Sequence, residues 1–417
     1  MTESFVGRQW LISKKDLNIN ENYEANSSIK DGHCARCHSD NLASLPSGNR
    51  YCRNCIGLGR VSEDLLLVHS TEEAHFEKLP NGGMTWQGTL TDRQAKISKQ
   101  LLENFHKKQS TLVHAVTGAG KTEMLFQLIQ AAMAKGQRAA IATPRIDVVN
   151  ELYPRFCEAF SEVQIGIYHG KIAHEAHFDQ LIICTTHQLL KYYHAFDLII
   201  IDEVDSFPFV NDESLHFGSK QALKLDGVMM YLTATPPAYL LKENLEILTL
   251  NRRFHGGLLP VPQCQLLIKP FLKEQQLHPK ILADLKMCLE KGHPVLLFIP
   301  RIAEIPAYTK AVSQLKVKFA SVHAEDPERL EKVQAFRDGK LDLLLTTTIL
   351  ERGVTFKHVW VLIVQADDQI YTSSSLVQIA GRVGRDKVDN NGLVKFYYHK
   401  YTKAIDQAIR DIKRMNR

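Results

Sequence analysis

The stretch Leu112–Thr122, with the sequence LVHAVTGAGKT, constrains the fold more than any other part of the chain. A short apolar run ends in a glycine-rich turn, and a Lys–Thr pair then opens the helical pattern EMLFQLIQAAMAKG. Gly118 and Gly120 allow backbone N–H groups to converge on an anion, and the following helix adds the positive end of its dipole. This order predicts a phosphate-binding loop between a strand and a helix.

The side chains of this loop predict a site for ATP and Mg²⁺. Lys121 supplies a positive charge for the β- and γ-phosphates, and Thr122 supplies a hydroxyl for Mg²⁺. The usual pattern GxxxxGKT has Ala115 in its first place here, and short patterns also occur by chance, so the prediction needs support from other motifs. The predicted nucleotide-binding residues of the loop are Thr117, Gly118, Ala119, Gly120, Lys121 and Thr122.

That support comes from the stretch FDLIIIDEVDSF. A buried strand, Leu198–Ile201, is predicted to place Asp202 and Glu203 at its carboxyl end. Asp202 suits Mg²⁺, directly or through water, whereas Glu203 suits a base that orients the attacking water. Apolar strands that end in Asp-Glu are common, but the pattern DExD behind a GKT loop indicates nucleotide hydrolysis.

Strands alternate with helical patterns along most of the chain. RAAIATPRIDVVNEL, IGIYHG and LIICTTHQLL follow the phosphate loop, and the alternation restarts with PVLLFIP after a Pro- and Gly-rich junction over 251–280. This alternation predicts parallel sheets with helices on both faces, and ligands bind beyond the carboxyl ends of such strands.

Residues 1–30 are polar and are predicted to form a flexible or peripheral arm.

Two pairs of cysteines, Cys34 with Cys37 and Cys52 with Cys55, are separated by 14 residues. Four thiolates at this spacing suit tetrahedral Zn²⁺, and we favour a zinc knuckle over disulfides or free thiols. Two roles stay open for it. The zinc could hold together a domain with a small core, or a basic and aromatic surface could contact DNA. That surface would comprise Arg36, Arg50, Tyr51, Arg53 and Arg60.

Three further features allow more than one interpretation. Gln94 could offer its amide to the adenine edge of ATP, or it could be a solvated residue of a helix. Arg382 and Arg385 are predicted to share one face of a helix, where they could form surface salt bridges or reach a triphosphate. The last helix, KYTKAIDQAIRDIKRMNR, is interpreted as a packing helix, although its basic end could also dock on DNA, a partner or a membrane.

The composition and net charge of the chain exclude few classes of function. The 417 residues are 44% hydrophobic and 23% charged, as in ordinary globular proteins of two or three domains. The net charge of +5, from 51 Lys and Arg against 46 Asp and Glu, is compatible with nucleic acid binding without indicating it. No apolar run approaches the roughly 20 residues of a membrane span, and the first residues lack a signal-peptide pattern. We therefore expect a cytosolic protein.

Eight motifs occur in the order of superfamily 2 helicases and translocases, and the chain resembles that superfamily from about residue 90 to 400. They are AVTGAGKT, TPR, TTHQLL, DEVD, TATP, LLFIPR, TTTILERGVTF and QIAGRVGR. The resemblance implies an α/β fold with two tandem RecA-like domains that bind ATP between them. We predict an arm and a small zinc-binding domain over 1–85, an ATP-binding RecA-like domain over 86–255 and a second RecA-like domain over 256–417.

By position in the motifs, the resemblance also implies roles for single residues. The implied catalytic residues are Lys121, Asp202, Glu203, Arg382 and Arg385, the last two being arginine fingers. Gln94 and Gly353 join the nucleotide-binding residues, and Thr233 and Thr235 fall in the motif that links hydrolysis to the grip on the strand. The implied DNA-binding residues are Thr143, Arg145, Thr185, Thr186, Arg301, Thr346 and Thr347.

The cysteine pairs ahead of the motor, together with ILERGVTF and RFHGG, make the chain similar to the ComFA-type competence ATPases. That family is implied to pull transforming single-stranded DNA through a membrane channel. Its implied partners are ComEC-like and ComFC-like proteins, which would place the chain at the inner face of the cell membrane and leave a homo-oligomer open. The motor also resembles the restart helicase PriA, but PriA carries its zinc cysteines within the second motor domain.

The sequence is therefore compatible with three alternative functions: a translocase for DNA uptake, a restart or repair helicase, and a scaffold that uses ATP only as a switch. Glu203 and both arginines argue against the scaffold, because a switch need not keep the residues for hydrolysis. A small-molecule kinase would explain neither the second domain nor the arginine pair.

Overall fold

The computed structural model describes residues 5–16, 22–170, 177–385 and 392–417. Parts of the predicted arm, residues 1–4 and 17–21, lie outside this range. The chain divides into two compact units. The first unit comprises Met1–His114 and Lys121–Thr249, and the second comprises Ala115–Gly120 and Leu250–Arg417. The three domain ranges drawn from the sequence stay a prediction.

The described part of the predicted arm forms ordered strands, so the expectation of a flexible or peripheral arm was wrong for it. Strands β1 and β2 lie on either side of β7 in an antiparallel sheet, with Trp10 opposite Val68 and Ala25 opposite Val68 on the other side. Their partner strand follows more than 35 residues later, which is why local sequence did not reveal the sheet. The strands of this region are β1 (Gln9–Ser13), β2 (Tyr23–Ser27), β3 (Ile29–Lys30), β4 (His33–Cys34), β5 (Leu42–Ser44), β6 (Arg50–Cys52) and β7 (Leu65–Ser70).

The first unit also contains a seven-stranded sheet in the order β10-β11-β9-β12-β13-β8-β14. Strands β8 to β13 all pair in parallel, as the alternation of strands and helices predicted. The strands are β8 (Thr111–Ala115), β9 (Ala139–Thr143), β10 (Ile165–Tyr168), β11 (Leu181–Thr185), β12 (Phe196–Asp202), β13 (Leu223–Thr233) and β14 (Glu246–Leu250). The helices are α1 (Asp92–His106), α2 (Lys121–Met124), α3 (Phe126–Ala134), α4 (Ile146–Ala159) and α5 (Glu213–Ala222).

The central strands of this sheet are apolar along their whole length because helices cover both faces. Leu198, Ile199, Ile200 and Ile201 of β12 are all fully buried. The polar residues Thr143, Thr185 and Asp202 stand at the carboxyl ends of neighbouring strands. The fold therefore brings the sequence motifs to one edge of the sheet.

The second unit holds a six-stranded parallel sheet in the order β15-β22-β21-β18-β20-β19. Its elements confirm the predicted second α/β segment. The strands are β15 (Gln263–Leu266), β16 (Leu272–Lys273), β17 (Gln276–Leu277), β18 (Val295–Phe298), β19 (Phe319–Val322), β20 (Leu343–Thr346), β21 (Trp360–Ile363) and β22 (Val394–Tyr398). The helices are α6 (Pro279–Glu290), α7 (Ile305–Val312), α8 (Arg329–Arg337), α9 (Ser373–Ala380) and α10 (Lys403–Met415).

Two helix boundaries matter for the site. Helix α9 ends at Ala380, so Arg382 and Arg385 do not share a helix face, and that prediction was wrong. Gly381 ends the helix, and the chain then turns before the first arginine. Helix α10 buries Ile405, Ala408, Ile412 and Met415, as expected of a packing helix.

Within the described ranges, no helix is both long enough and apolar enough to cross a membrane.

Candidate ATPase site and cysteine cluster

The phosphate loop begins where β8 ends and runs into α2. Gly118 and Gly120 have φ values of 79° and 70°, the left-handed region that glycine adopts without strain. Lys121 and Thr122 follow at the first turn of α2, and Thr122 is buried. The loop thus has the backbone form that its glycines predicted.

Lys121 forms an ion pair with the predicted metal carboxylate. Its Nζ lies 3.1 Å from Oδ1 of Asp202, at the carboxyl end of β12. Burial alone would lower the pKa of Lys121, but Asp202 and then Glu203 outweigh it, so that the pKa is raised. The lysine is therefore a cation held among carboxylates. An arriving phosphate group would compete with these carboxylates for its charge.

Glu203 occupies a strained backbone position directly after this strand. Its φ of 58° is rare for a residue with a side chain, and such residues are concentrated at functional sites. Its N–H donates to Oδ1 of Asp202 at 2.9 Å, and its carboxylate accepts a hydrogen bond from Ser206 at 3.3 Å. The two carboxylates therefore have different hydrogen-bond partners.

A third acidic residue, Asp205, links this stretch to the TATP motif. Thr233 donates from Oγ1 to Oδ1 of Asp205 at 2.6 Å, and Thr235 donates to its second oxygen. Asp205 is the last residue of the DEVD pattern, and its role was not predicted from the sequence. The carboxylate of Asp205 thus accepts hydrogen bonds from both threonines. The superfamily resemblance implies that these threonines link hydrolysis to the binding of the DNA strand.

Gln94 is buried at the start of α1, which excludes the interpretation as a solvated residue. Its side-chain oxygen accepts hydrogen bonds from the N–H of Thr91 at 3.0 Å and from the hydroxyl of Thr91 at 2.9 Å. The pair forms a capping box that fixes the first turn of the helix. Contact between Gln94 and adenine stays a prediction.

In the second unit, the two predicted arginine fingers are held by nearby backbone. Arg382 is buried and donates from Nε to the carbonyl of Glu351 at 3.0 Å. Arg385 donates from Nε to the carbonyl of Gly381 at 3.0 Å and from Nη1 to Thr355 at 3.1 Å. Gly353 lies in the same stretch as Glu351 and Thr355 and has a φ of 72°. These bonds give both guanidinium groups defined positions.

The predicted DNA-binding residues stand at strand ends, but several are closed to solvent. Thr143 and Thr186 are almost fully buried, and their hydroxyls have no hydrogen-bond partner among the described residues. Thr185, Thr346 and Thr347 are also buried. Arg301 is largely exposed and pairs with Asp368 at 2.7 Å, and Arg145 precedes α4. DNA contact by this group stays a prediction.

The four paired cysteines form a compact cluster that fits zinc. All four are buried, and their Sγ atoms lie within 4.8 Å of one another. The Cys34–Cys55 and Cys37–Cys52 sulfur distances are 3.8 and 3.6 Å. Tetrahedral Zn–S bonds of about 2.3 Å place sulfurs about 3.8 Å apart. The set could therefore bind one zinc ion.

The cysteine cluster is continuous with the core of the first unit, where its residues share one apolar cluster with those of the seven-stranded sheet. His38 stacks on Phe217 of α5 with ring centroids 5.0 Å apart, and Asn54 donates to Ser214 of the same helix at 3.4 Å. Stacked rings and a shared core bury surface that an independent knuckle would leave in water. The knuckle is thus built into the first unit.

The proposed basic surface of the knuckle is smaller than the sequence suggested. Arg36 is buried and donates to the carbonyls of Leu58 and Gly59 at 3.2 and 3.1 Å. Arg50 is paired with Glu63 at 2.7 Å. Arg36 therefore serves the local structure, whereas Arg50 keeps about half of its side chain exposed and stays part of the suggested surface with Tyr51, Arg53 and Arg60.

Comparison with known proteins places these features in a family. Residues 87–238 match the family described as the type III restriction enzyme, res subunit, and residues 277–387 match the helicase conserved C-terminal domain. Yeast Dbp5 bound to RNA and ADP BeF3 is structurally similar, with a TM-score of 0.56 at 16% identity over 78% of this chain and 91% of Dbp5. At that identity the likeness concerns the fold alone.

Two sequence relatives cover nearly the whole chain. The competence protein ComFA of Bacillus subtilis is 38% identical over 423 residues, which span 100% of this chain and 90% of that protein. ComFA of Streptococcus pneumoniae is 41% identical over 397 residues, which span 92% of this chain and 90% of that protein. With its two helicase domains, the chain is a helicase-like ATPase of superfamily 2, and it belongs to the ComFA family of competence proteins.

Proposed function

We propose that the chain is an ATP-dependent single-stranded DNA translocase that acts in the uptake of transforming DNA during natural competence. Membership of the ComFA family supports the role in competence, and the two helicase domains support ATP-driven movement on nucleic acid. Movement along one strand, rather than separation of two, is the finer part of the proposal.

The observation that carries this proposal is the bond of Asp205 to Thr233 and Thr235. Asp202 ends β12, and Asp205 stands three residues later in the turn that follows this strand. A change in hydrolysis state at Asp202 and Glu203 would shift this turn and with it the TATP segment. Such a two-state element is what couples a chemical step to a change in grip.

The residues of the nucleotide site divide the work of hydrolysis among them. Lys121 would leave Asp202 and neutralise charge on the β- and γ-phosphates, and Glu203 would orient water for attack. Thr122 and Asp202 would hold Mg²⁺, and this ion would supply positive charge to neutralise the charge that develops on the phosphates. Arg382 and Arg385 would stabilise the charge that develops on the transferred group.

Grip on DNA should be independent of sequence. Arg145 and Arg301, the two residues of the strand-end group that are not buried, are proposed to contact the phosphate backbone, which every sequence shares. Because such contacts release counterions, affinity for single strands should fall steeply as salt rises.

The proposed partners and location follow from the family resemblance. They are single-stranded DNA, ComFC-like and ComEC-like competence proteins, and the inner face of the membrane through the channel, with a homo-oligomer left open. Zinc in the cysteine cluster is proposed to stabilise the first unit, since the cluster lies in its core.

The experiment that tests the function compares ATP turnover in four conditions: no nucleic acid, single-stranded DNA, duplex DNA and a forked substrate, with strand separation followed in parallel. Strong stimulation by single strands with little unwinding supports the proposal. Efficient unwinding of forks would favour a PriA-like restart helicase. A rate that no nucleic acid changes would favour the scaffold that ATP only switches.

A further inference from the structure

Residues 250–255, with the sequence LNRRFH, lie against the phosphate loop within the second unit. Val116 donates its N–H to the carbonyl of Leu250 at 3.0 Å, and Phe254 donates its N–H to the carbonyl of Gly118 at 3.0 Å. The segment is therefore bonded to the loop at two points. It was expected only to be part of a domain junction.

Arg253 of this segment also holds the stretch that carries the two predicted arginine fingers. Its Nη1 donates to the carbonyl of Val383 at 2.6 Å and to that of Gly384, and its Nη2 donates to the carbonyl of Gly381 at 3.3 Å. His255 contacts the carbonyl of Gly384 as well, at 3.1 Å. One guanidinium group thus fastens the backbone on both sides of Arg382.

The same side chain packs across the phosphate loop. A Cβ placed on Gly118 would lie 3.7 Å from both Cγ and Cδ of Arg253 and 3.9 Å from its Nε. The Nε is buried and has no hydrogen-bond partner among the described residues. Arg253 therefore touches the loop with its stem and the finger-bearing stretch with its guanidinium head.

The electrostatic setting of Arg253 is unfavourable for a residue that only fills space. It is 2% exposed, and its guanidinium group donates to the neutral carbonyls of Gly381, Val383 and Gly384. Burial first, and then the charge of Arg385, lower its pKa to about 9. The charges of Arg253 and Arg385 repel each other, so an anion such as a phosphate group close to them would stabilise both.

We propose that Arg253 is a positioning residue of the ATPase, which ties the phosphate loop to the stretch 381–384 and thereby sets Arg382 and Arg385 for hydrolysis. This inference rests on the proposed nucleotide site. It adds a residue outside the eight sequence motifs and assigns a task to the segment between the sheets.

The test measures kcat and KM for ATP without nucleic acid, together with the affinity for a fluorescent ATP analogue, in Arg253→Ala and Arg253→Lys. We expect kcat to fall by about 100-fold in both variants, since displacement of a catalytic group by about 1 Å has effects of that size. Lysine should not rescue the rate, because it lacks the planar fork that binds three carbonyls. Nucleotide affinity should change by less than about threefold.

Arg252→Ala is the matched control. Arg252 is the preceding residue and carries the same charge, but its Nη1 donates to the carbonyl of Asn416 at 2.8 Å, near the end of α10. Its removal should leave kcat within about twofold of the wild type. An equal loss of rate in both variants would show a general effect of the segment and would overturn the proposal.

A combined variant separates positioning from an independent role. If Arg253 acts through both arginines, Arg253→Ala should slow a variant that already carries Arg382→Ala and Arg385→Ala by less than about threefold, because both groups that it positions are missing. Multiplication of the two losses would overturn the proposal. If Lys121→Ala in the same series turned over ATP at the wild-type rate, the assignment of the nucleotide site would be wrong. A failure of DNA translocation would not affect this inference, because turnover is measured here without nucleic acid.

Discussion

Asp205 accepts a 2.6 Å hydrogen bond from the hydroxyl of Thr233, which lies 28 residues further along the chain. The bond joins the turn after β12 to the end of β13, and these strands are neighbours in the sheet. The carboxylates of the predicted hydrolysis site are thereby connected with the TATP motif through one side chain.

Replacing Asp205 by Ala should uncouple hydrolysis from nucleic acid. The variant leaves both threonine hydroxyls without their acceptor, so stimulation of ATP turnover by single-stranded DNA should fall about tenfold. Nucleotide binding should persist, because Lys121 keeps its ion pair with Asp202. Turnover is measured across a range of DNA concentrations.

The control for that variant is Asp212→Ala. Asp212 caps α5 by accepting from the N–H of Ser214 at 2.9 Å, so its loss should lower stability by about 1 kcal/mol. Stimulation by DNA should stay normal. Equal behaviour of the two variants would contradict a coupling role for Asp205.

Lys121→Ala should abolish ATP turnover while the fold persists. The lysine supplies the only side-chain cation proposed for the phosphates within the loop, and its loss should lower turnover by at least about 100-fold. Circular dichroism and thermal melting check the fold. Turnover at the wild-type rate would contradict the assignment of the nucleotide site.

Gly381→Ala should also stop turnover. A Cβ at this position would overlap Oγ1 of Thr117 in the phosphate loop, so either the loop or the stretch after α9 has to shift. Gly170→Ala is the control, because an added Cβ there would meet no atom of the described residues within 4 Å. Normal turnover by Gly381→Ala would show that this close approach is not needed for hydrolysis.

Removal of the cysteine cluster should destabilise the first unit. Cys52→Ser combined with Cys55→Ser should release one zinc per chain and lower the melting temperature by at least about 5 °C, since the cluster is part of the core. Metal analysis and thermal melting measure both effects. Cys264→Ser is the control, because that thiol is exposed and lies outside the cluster. Absence of zinc from the wild type would contradict the knuckle.

The sequence predicted those parts of the site that depend on local patterns. Each of these patterns lies within a short stretch of sequence and determines the local structure there. They are the glycines of the phosphate loop, the apolar strand before Asp202 and the four cysteines. The two parallel sheets followed from the alternation of strands and helices. Their confirmation shows that backbone requirements and burial are strong enough to be recognised without a structure.

Features that depend on distant partners were missed. Strand β1 pairs with β7 across more than 50 residues, and no local pattern announces it. The end of α9 at Ala380 was missed because SSSLVQIAGRVGR looks helical throughout, and Gly381 was not taken as the end of the helix. Arg253 was missed because its partners lie about 130 residues away, and Arg36 was thought exposed because burial of an arginine needs acceptors that sequence does not show.

The most direct test of the central claim is displacement of streptavidin from the biotinylated end of a single-stranded DNA, with wild type and Lys121→Ala compared at equal DNA binding. A translocase should speed displacement from one end in the presence of ATP, and the variant should leave the spontaneous rate unchanged. ATP consumption on single-stranded DNA without faster displacement from either end would contradict movement along the strand.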